Sequence, residues 1–244
     1  MAETAIRVSG LRKSFGPLEV LKGVDLEVPA GRVTALLGAN GAGKTTLVSI
    51  LTTVLPFDAG TAQVAGFDVA REPAKVRQAI TVTGQSVTVD TVLTGQENLA
   101  MIARLRHVPK PKQIAAELAE QFGLAEAANK PAGTYSGGMK RRLDIAMSLI
   151  GQPRVVFLDE PTTGLDPAGR RDVWAFIESL AAAGTTILLT TQYMEEAARL
   201  AHTIALLHGG VISAIGDEAA ILRAAGDAPD LESAFLALTE EARS

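Results

Sequence analysis

Eight consecutive residues, Gly38-Ala39-Asn40-Gly41-Ala42-Gly43-Lys44-Thr45, leave the chain around them little choice of local structure. They follow Val33-Thr34-Ala35-Leu36-Leu37, an apolar run that reads as a short buried strand, and they precede Thr46 to Leu55, which reads as a helix. Glycines at these spacings let the backbone curl until consecutive N–H groups point inward, and the following helix adds its positive end. The pattern is that of a phosphate-binding loop, and its strand-to-helix context agrees with it. Lys44 offers a point charge to β- and γ-phosphates. Thr45 offers a hydroxyl to a bridging Mg²⁺, because a hard cation prefers oxygen ligands.

The rest of the chain narrows the setting of that loop. With 244 residues, 47% of them hydrophobic, it has enough apolar surface for one large globular domain or two small ones. A net charge of -4 gives no global basic field for a nucleic-acid backbone, so no nucleic-acid partner is expected. The absence of cysteine excludes disulfides, thiolate metal sites and a cysteine nucleophile. Met1-Ala2-Glu3-Thr4 does not open a secretory signal, and the most apolar stretch, Leu180 to Thr191, is broken by Gly184 and several threonines. It falls short of the roughly 20 residues that span a bilayer. A cytosolic chain, held at a membrane only by a partner, is the expectation.

No repeat, low-complexity tract or long linker divides the sequence, so one continuous domain over 1–244 is expected. Ile6 to Leu37 alternates short apolar runs with turns at Gly10, Gly16 and Pro29-Ala30-Gly31 and reads as β-structure. From about Val92 to Ile150 the pattern is helical, clearest in Gln113 to Phe122. Val155-Val156-Phe157-Leu158, Thr186-Ile187-Leu188-Leu189 and Ile204-Ala205-Leu206-Leu207 then alternate with helical stretches, which predicts a parallel α/β sheet. His208-Gly209-Gly210-Val211 reads as a hairpin turn.

A phosphate loop alone does not separate a kinase, a GTPase, a helicase and a transport ATPase. Val155 to Leu158 runs into Asp159-Glu160, which sets Asp159 beside a metal and Glu160 where it could orient and deprotonate an attacking water. Pro161 and Gly164-Leu165-Asp166-Pro167 follow, and Tyr135-Ser136-Gly137-Gly138-Met139-Lys140-Arg141-Arg142 lies upstream. Alone, Ser136-Gly137-Gly138 is an N-cap and a flexible turn, and Asp159-Glu160 a solvated strand end.

In this order the motifs resemble the ABC ATPase family over nearly the whole chain. The resemblance implies a P-loop NTPase of the α/β class with a RecA-like core, an antiparallel β-subdomain, a helical subdomain over about 85–151 and a tail over about 217–244. It implies that Gly38, Ala39, Asn40, Gly41, Ala42, Gly43, Lys44, Thr45 and Thr46 hold ATP, and that Phe15, before Gly16, stacks on adenine where many members carry tyrosine. Gln85, in Thr83-Gly84-Gln85, would join Thr45 and Asp159 at Mg²⁺. Ser136, Gly137 and Gly138 would cap the γ-phosphate of an ATP held by a second copy, and Asp166 would couple the two sites. Glu160, Gln192 and Lys44 would be catalytic. A polytopic permease would be the other partner, placing the chain at the cytoplasmic face of a bacterial membrane.

A finer similarity is to the ATP-binding subunits of daunorubicin-resistance-type drug exporters. It rests on Thr83 to Asp90 with Leu93 to Leu99, on Tyr135 and Met139, on Thr190-Thr191-Gln192-Tyr193-Met194-Glu195-Glu196-Ala197, and on Pro229 to Thr239. It implies export of a drug or lipid-like compound. The chain stops soon after Thr239, where longer relatives continue, so any regulatory contribution of such an extension is expected to be absent. Most ABC ATPases carry histidine at position 192, and His107, His202 and His208 do not stand in for it. Gln192 could still donate an amide N–H to phosphate, or could only cap the helix that follows. An importer ATPase remains an alternative. So does a remodelling ABC ATPase, although chromosome-maintenance relatives need a long coiled coil where about fifty residues intervene here. A small-molecule P-loop kinase would leave Ser136-Gly138 and Gly164-Pro167 unexplained.

Overall fold

A computed structural model describes residues 3–84 and 88–240. Two sheets organise it. β1 (Thr4–Phe15) and β2 (Leu18–Pro29) form a long hairpin, extended by β4 (Ala59–Val64) and β5 (Phe67–Asp68) into an antiparallel sheet of order β2-β1-β4-β5. Alternation along β1 and β2 buries Ile6, Val8, Leu11, Leu21, Val24, Leu26 and Val28 on one face.

The second sheet runs β10 (Val211–Gly216), β9 (Thr203–His208), β3 (Val33–Leu37), β8 (Thr186–Thr191), β7 (Val155–Asp159), β6 (Ile80–Thr83). Its strands are parallel except β10, which closes the hairpin at Gly209-Gly210. Every residue of β3, β7 and β8 is buried, which is why these segments read as unbroken apolar or threonine runs rather than alternating ones. One face of this sheet, with Leu36, Phe157, Leu188 and Ala205, packs on the antiparallel sheet and α1 (Lys44–Leu51). The other, with Ala35, Leu37, Leu158, Leu189 and Ile204, packs on the later helices.

Those helices include α3 (Gly95–Leu105), α4 (Pro111–Gln121), α5 (Gly137–Leu149), α6 (Pro167–Ala182) and α7 (Met194–Leu200), after α2 (Pro73–Ala79). α8 (Glu218–Ala224) and α9 (Leu231–Glu240) complete the chain order. Thr94 and Glu97 form a reciprocal capping box that starts α3. α1 is shorter than the predicted 46–55 span: it begins at Lys44 and stops at Leu51, after which the Thr52 hydroxyl bonds back to Val48 O and Thr53 turns left-handed with φ 65°.

Parallel strands all point one way, so β3, β7 and β8 end at one edge. Leu37 pairs with Thr191 and Asp159 with Thr190, which brings the glycine loop, the acid pair and Gln192 to that edge. In open α/β sheets this carboxyl edge is where ligands bind.

Candidate nucleotide site

The turn from β3 into α1 is held from three sides. Gly38 N donates to Thr191 O at 3.2 Å, and a Cβ on Gly38 would stand 2.5 Å from Leu207 O of β9, so only glycine fits. Gly43 caps α1 with φ 108°, and a Cβ there would lie 2.8 Å from the Leu21 side chain of β2. Ala39, Asn40, Gly41 and Thr45 are exposed along the loop, and Ala42 and Thr46 are half-buried.

Lys44 is the first residue of α1 and is 4% exposed. Its Nζ donates to Gly38 O at 2.8 Å and Ala39 O at 3.1 Å and lies 3.8 Å from Glu160 Oε1. Burial pulls the Lys44 ammonium below the ordinary lysine range, and the charges of Glu160 and Asp159 draw it partly back.

At the end of β7, the Asp159 carboxylate accepts from the Thr190 hydroxyl, while that same hydroxyl oxygen accepts from Glu160 N at 3.0 Å. Thr190 thus ties both acids to β8. Glu160 itself takes φ 48°, a left-handed conformation that costs a non-glycine residue about 1–2 kcal/mol. The turn is fixed by Glu160 N on Thr190 O at 3.2 Å and Thr163 N on Glu160 O at 3.2 Å, and it aims the carboxylate toward Lys44 rather than into the strand.

Gln192 directly follows β8 and is half-buried. The following helix starts at Met194 with Tyr193 at its N-cap and no side-chain cap hydrogen bond, so Gln192 is not the capping residue. Phe15 ends β1 and is 48% exposed, which removes it from the apolar core; Lys13 Nζ stands 5.5 Å from its ring centroid. Lys13 is in turn fixed by Asp58 at 3.0 Å. Gln85 lies outside the described residues.

Ser136 and Gly137 are exposed at the start of α5, where the Ser136 side chain accepts from Met139 N at 3.2 Å. Gly138 is buried where α5 crosses α6: a Cβ on it would come within 3.0 Å of Gly169 Cα. Asp166 caps α6 by accepting from Gly169 N at 2.9 Å. α5 packs on α3, α6 and β6, whereas α1 packs on β2, β4 and β7, so the two glycine motifs belong to different parts of the molecule.

Three groups around the acids had no role assigned to them, although the motifs read from the sequence contain them. Thr190 reads in sequence as one more strand threonine. Arg141 is buried beneath Asp159, and Glu196 joins Thr162 at 2.7 Å and Trp174 at 2.9 Å through one oxygen. Arg141 lies within Lys140-Arg141-Arg142 and Glu196 follows Glu195, so in sequence both read as solvated charges and nothing marked them as buried.

The donor set suits a magnesium triphosphate. The Lys44 ammonium matches phosphate oxygens, and Thr45 and Asp159 offer hard oxygen ligands. No three His, Cys, Asp or Glu side chains gather into a metal cage among the described residues, and Mg²⁺ shared with phosphates needs only one or two carboxylates.

A glycine loop between β3 and α1, with Asp159 at the end of the strand two places over, defines the class of P-loop nucleotide-binding proteins. More closely, the chain belongs to the ABC transporter family, as one of its ATP-hydrolysing domains: the family profile, described as ABC transporter, matches residues 21–163. The chain is 52% identical over 216 residues to the daunorubicin resistance ATP-binding protein DrrA2 of Streptomyces coeruleorubidus, covering 88% of this chain and 66% of that one. It is 49% identical over 229 residues to the doxorubicin resistance ATP-binding protein DrrA of Mycobacterium tuberculosis, covering 92% and 69%. The chain therefore spans about two thirds of the length of these relatives. A solved ATP-binding subunit of an ABC transporter superposes with a TM-score of 0.83 at 26% identity, covering 96% of this chain and 99% of its own.

Proposed function

We propose that this chain hydrolyses ATP to power efflux of a drug or lipid-like compound through a separate membrane permease, working as a head-to-tail pair with a second copy of itself. The observation that carries the reading is the meeting of Lys44 and Glu160 at the carboxyl edge of the parallel sheet, while Ser136-Gly138 opens α5, which packs on other elements than α1 does. In a two-fold pair, the exposed start of α5 from one copy would face the glycine loop of the other. Similarity to drug-resistance ATP-binding proteins at about half of all positions supports export.

In this reading residues 38–46 hold the phosphates, Phe15 stacks on the base, and Thr45, Asp159 and Gln85 hold Mg²⁺, which neutralises phosphate charge when bound. Lys44 leaves the carbonyls of Gly38 and Ala39 for phosphate oxygens. Glu160, released from Lys44, takes a proton from the attacking water, and Gln192 donates its amide to the γ-phosphate. Asp166 lies between the two sites. No helix among the described residues is long and apolar enough to cross a membrane, so the permease would supply the path and hold the chain at the cytoplasmic face.

The test is to purify the chain with its permease partner, reconstitute both in vesicles and follow an anthracycline. ATP-dependent accumulation that is lost in Glu160→Gln is expected. ATP hydrolysis with no movement of anthracyclines or fluorescent lipids would contradict export of such compounds.

A further inference from the structure

Arg141 lies in the second turn of α5, 3% exposed, and its guanidinium gathers oxygens from three segments. Nε donates to Pro161 O at 2.9 Å, Nη1 donates to Gly84 O at 2.7 Å and to Asp144 Oδ2 at 3.2 Å, and Nη2 reaches Asp159 O at 3.5 Å. Asp159 and Pro161 are the two neighbours of Glu160. Asp144, held by Arg141 through one oxygen, uses the other to accept from Thr88 N at 3.0 Å and from the Thr88 hydroxyl at 2.6 Å. Gly84 and Thr88 stand on either side of Gln85. One buried guanidinium and its carboxylate therefore fasten Gly84, Thr88 and both neighbours of the left-handed Glu160 to α5.

We propose that Arg141 is a positioning residue for hydrolysis: its planar fork fixes the turn that aims Glu160 and registers it against Gly84 and α5. This rests on the reading in which Glu160 activates water. The chemistry of the side chain explains why arginine stands here. Its donors sit in one rigid plane and never lose their charge, so carbonyls approaching from different segments are held at fixed mutual angles. A lysine at this place keeps the charge and the pair with Asp144, but its single ammonium cannot meet Pro161 O, Gly84 O and Asp159 O together. Burial of an ion pair is by itself a weak stabiliser, and apolar replacement of both partners is often neutral. What an apolar pair cannot supply is a set of donors to the carbonyls around Glu160. A shift of α5, whose exposed start would meet the partner copy's nucleotide, is thereby passed to the backbone of Glu160 in the same chain.

Two variants test this in the complex with the permease. Arg141→Lys keeps charge and pairing while losing the fork, and the double variant Arg141→Met with Asp144→Leu removes both charges without leaving either one buried alone. Steady-state hydrolysis of Mg-ATP and thermal melting are measured for each. In both, kcat should fall about 10- to 10²-fold, the loss expected when a reacting group is displaced by an ångström or so. KM for ATP should stay within about threefold of wild type, because the Lys44 loop is untouched. The double variant should melt below wild type, because the bonds to Pro161 O, Gly84 O and Thr88 are lost, and stay folded at the assay temperature. A folded variant with wild-type kcat, or one whose KM rises as far as its kcat falls, would make Arg141 a structural tie only and overturn the inference while leaving the proposed function standing. Wild-type protein without Lys44-dependent hydrolysis would overturn the proposed function, and the inference with it.

Discussion

Lys44 Nζ and Glu160 Oε1 lie 3.8 Å apart, although one residue opens α1 and the other follows β7. The glycine loop and the acid turn thus share a buried pair, and the same ammonium also donates to two loop carbonyls. A triphosphate entering this place would exchange those partners for its own oxygens. The cation that would bind phosphate and the base that would activate water are, in this state, each other's counter-ion.

Lys44→Ala should weaken Mg-ATP binding by about 10- to 10²-fold, the worth of hydrogen bonds to a charged group, and leave the fold intact. A nucleotide titration beside a circular dichroism melt separates the two effects. Tight Mg-ATP binding by the folded variant would remove Lys44 from the phosphate site.

The sign of the Lys44 shift gives a stability test without nucleotide. Burial holds the folded ammonium below its ordinary 10.5, so as pH rises the folded chain gives up this proton before the unfolded chain does. Stability then rises with pH between the lowered value and 10.5, because there the unfolded state binds more protons. Relative to Lys44→Met, which has no charge to bury, wild type should gain in melting temperature across the alkaline range up to 10.5. A difference that does not change with pH would mean that the ammonium is not desolvated.

Thr190→Val keeps the shape of β8 but leaves the Asp159 carboxylate without its hydroxyl donor and Glu160 N with only the Thr190 carbonyl. Orphaning a buried polar group costs about 1–3 kcal/mol. Melting should show a loss of that size, and kcat should fall further than ATP affinity because the turn bearing Glu160 loosens. Unchanged kcat in the folded variant would show that the strand pairing alone fixes the acids.

Gln192 stands beside the glycine loop and carries no proton equilibrium. Gln192→His should introduce a pH dependence into kcat near pH 6.5, the ordinary range of an imidazole. Gln192→Ala should lower kcat more than ATP affinity, since losing one hydrogen bond to a charged group costs about 1.5–3 kcal/mol. Rates from about pH 6 to 8.5 check both. Wild-type kcat in Gln192→Ala across that range would leave Glu160 without a switch partner.

How far the sequence reached follows from what each feature depends on. The loop 38–45 and the Asp159-Glu160 strand end are local patterns, and a strand buried on both faces announces itself as an apolar run, so β3, β7, β8 and β9 were foreseeable. The order β9-β3-β8-β7-β6 was not, because an apolar run does not say which strand lies beside it. Gly10, which reads as a turn in sequence, instead sits inside β1 with φ 56° where the β1–β2 register shifts between Val8 and Leu11; the shifts near Leu11 and Lys13 leave no composition signal. Glu160 gives no hint of φ 48°, since that conformation is held by bonds from its own backbone to Thr190 and Thr163, groups the fold brings to it. Thr190 and Arg141 matter through groups brought to them by the fold from 31 and 57 positions away. Whether Gln192 caps α7 turned on where that helix begins, and Tyr193 takes the cap position.

The central claim is that Glu160 is the base of an ATP-hydrolysing pair, and the rate of phosphate release by Glu160→Gln at saturating Mg-ATP, with the permease present, bears on it without intermediate steps. The amide keeps the shape of the carboxylate and cannot take the proton, so turnover should fall by roughly 10²–10⁴-fold while ATP binding persists and a nucleotide-bound dimer accumulates on gel filtration. Turnover near that of wild type would contradict the account.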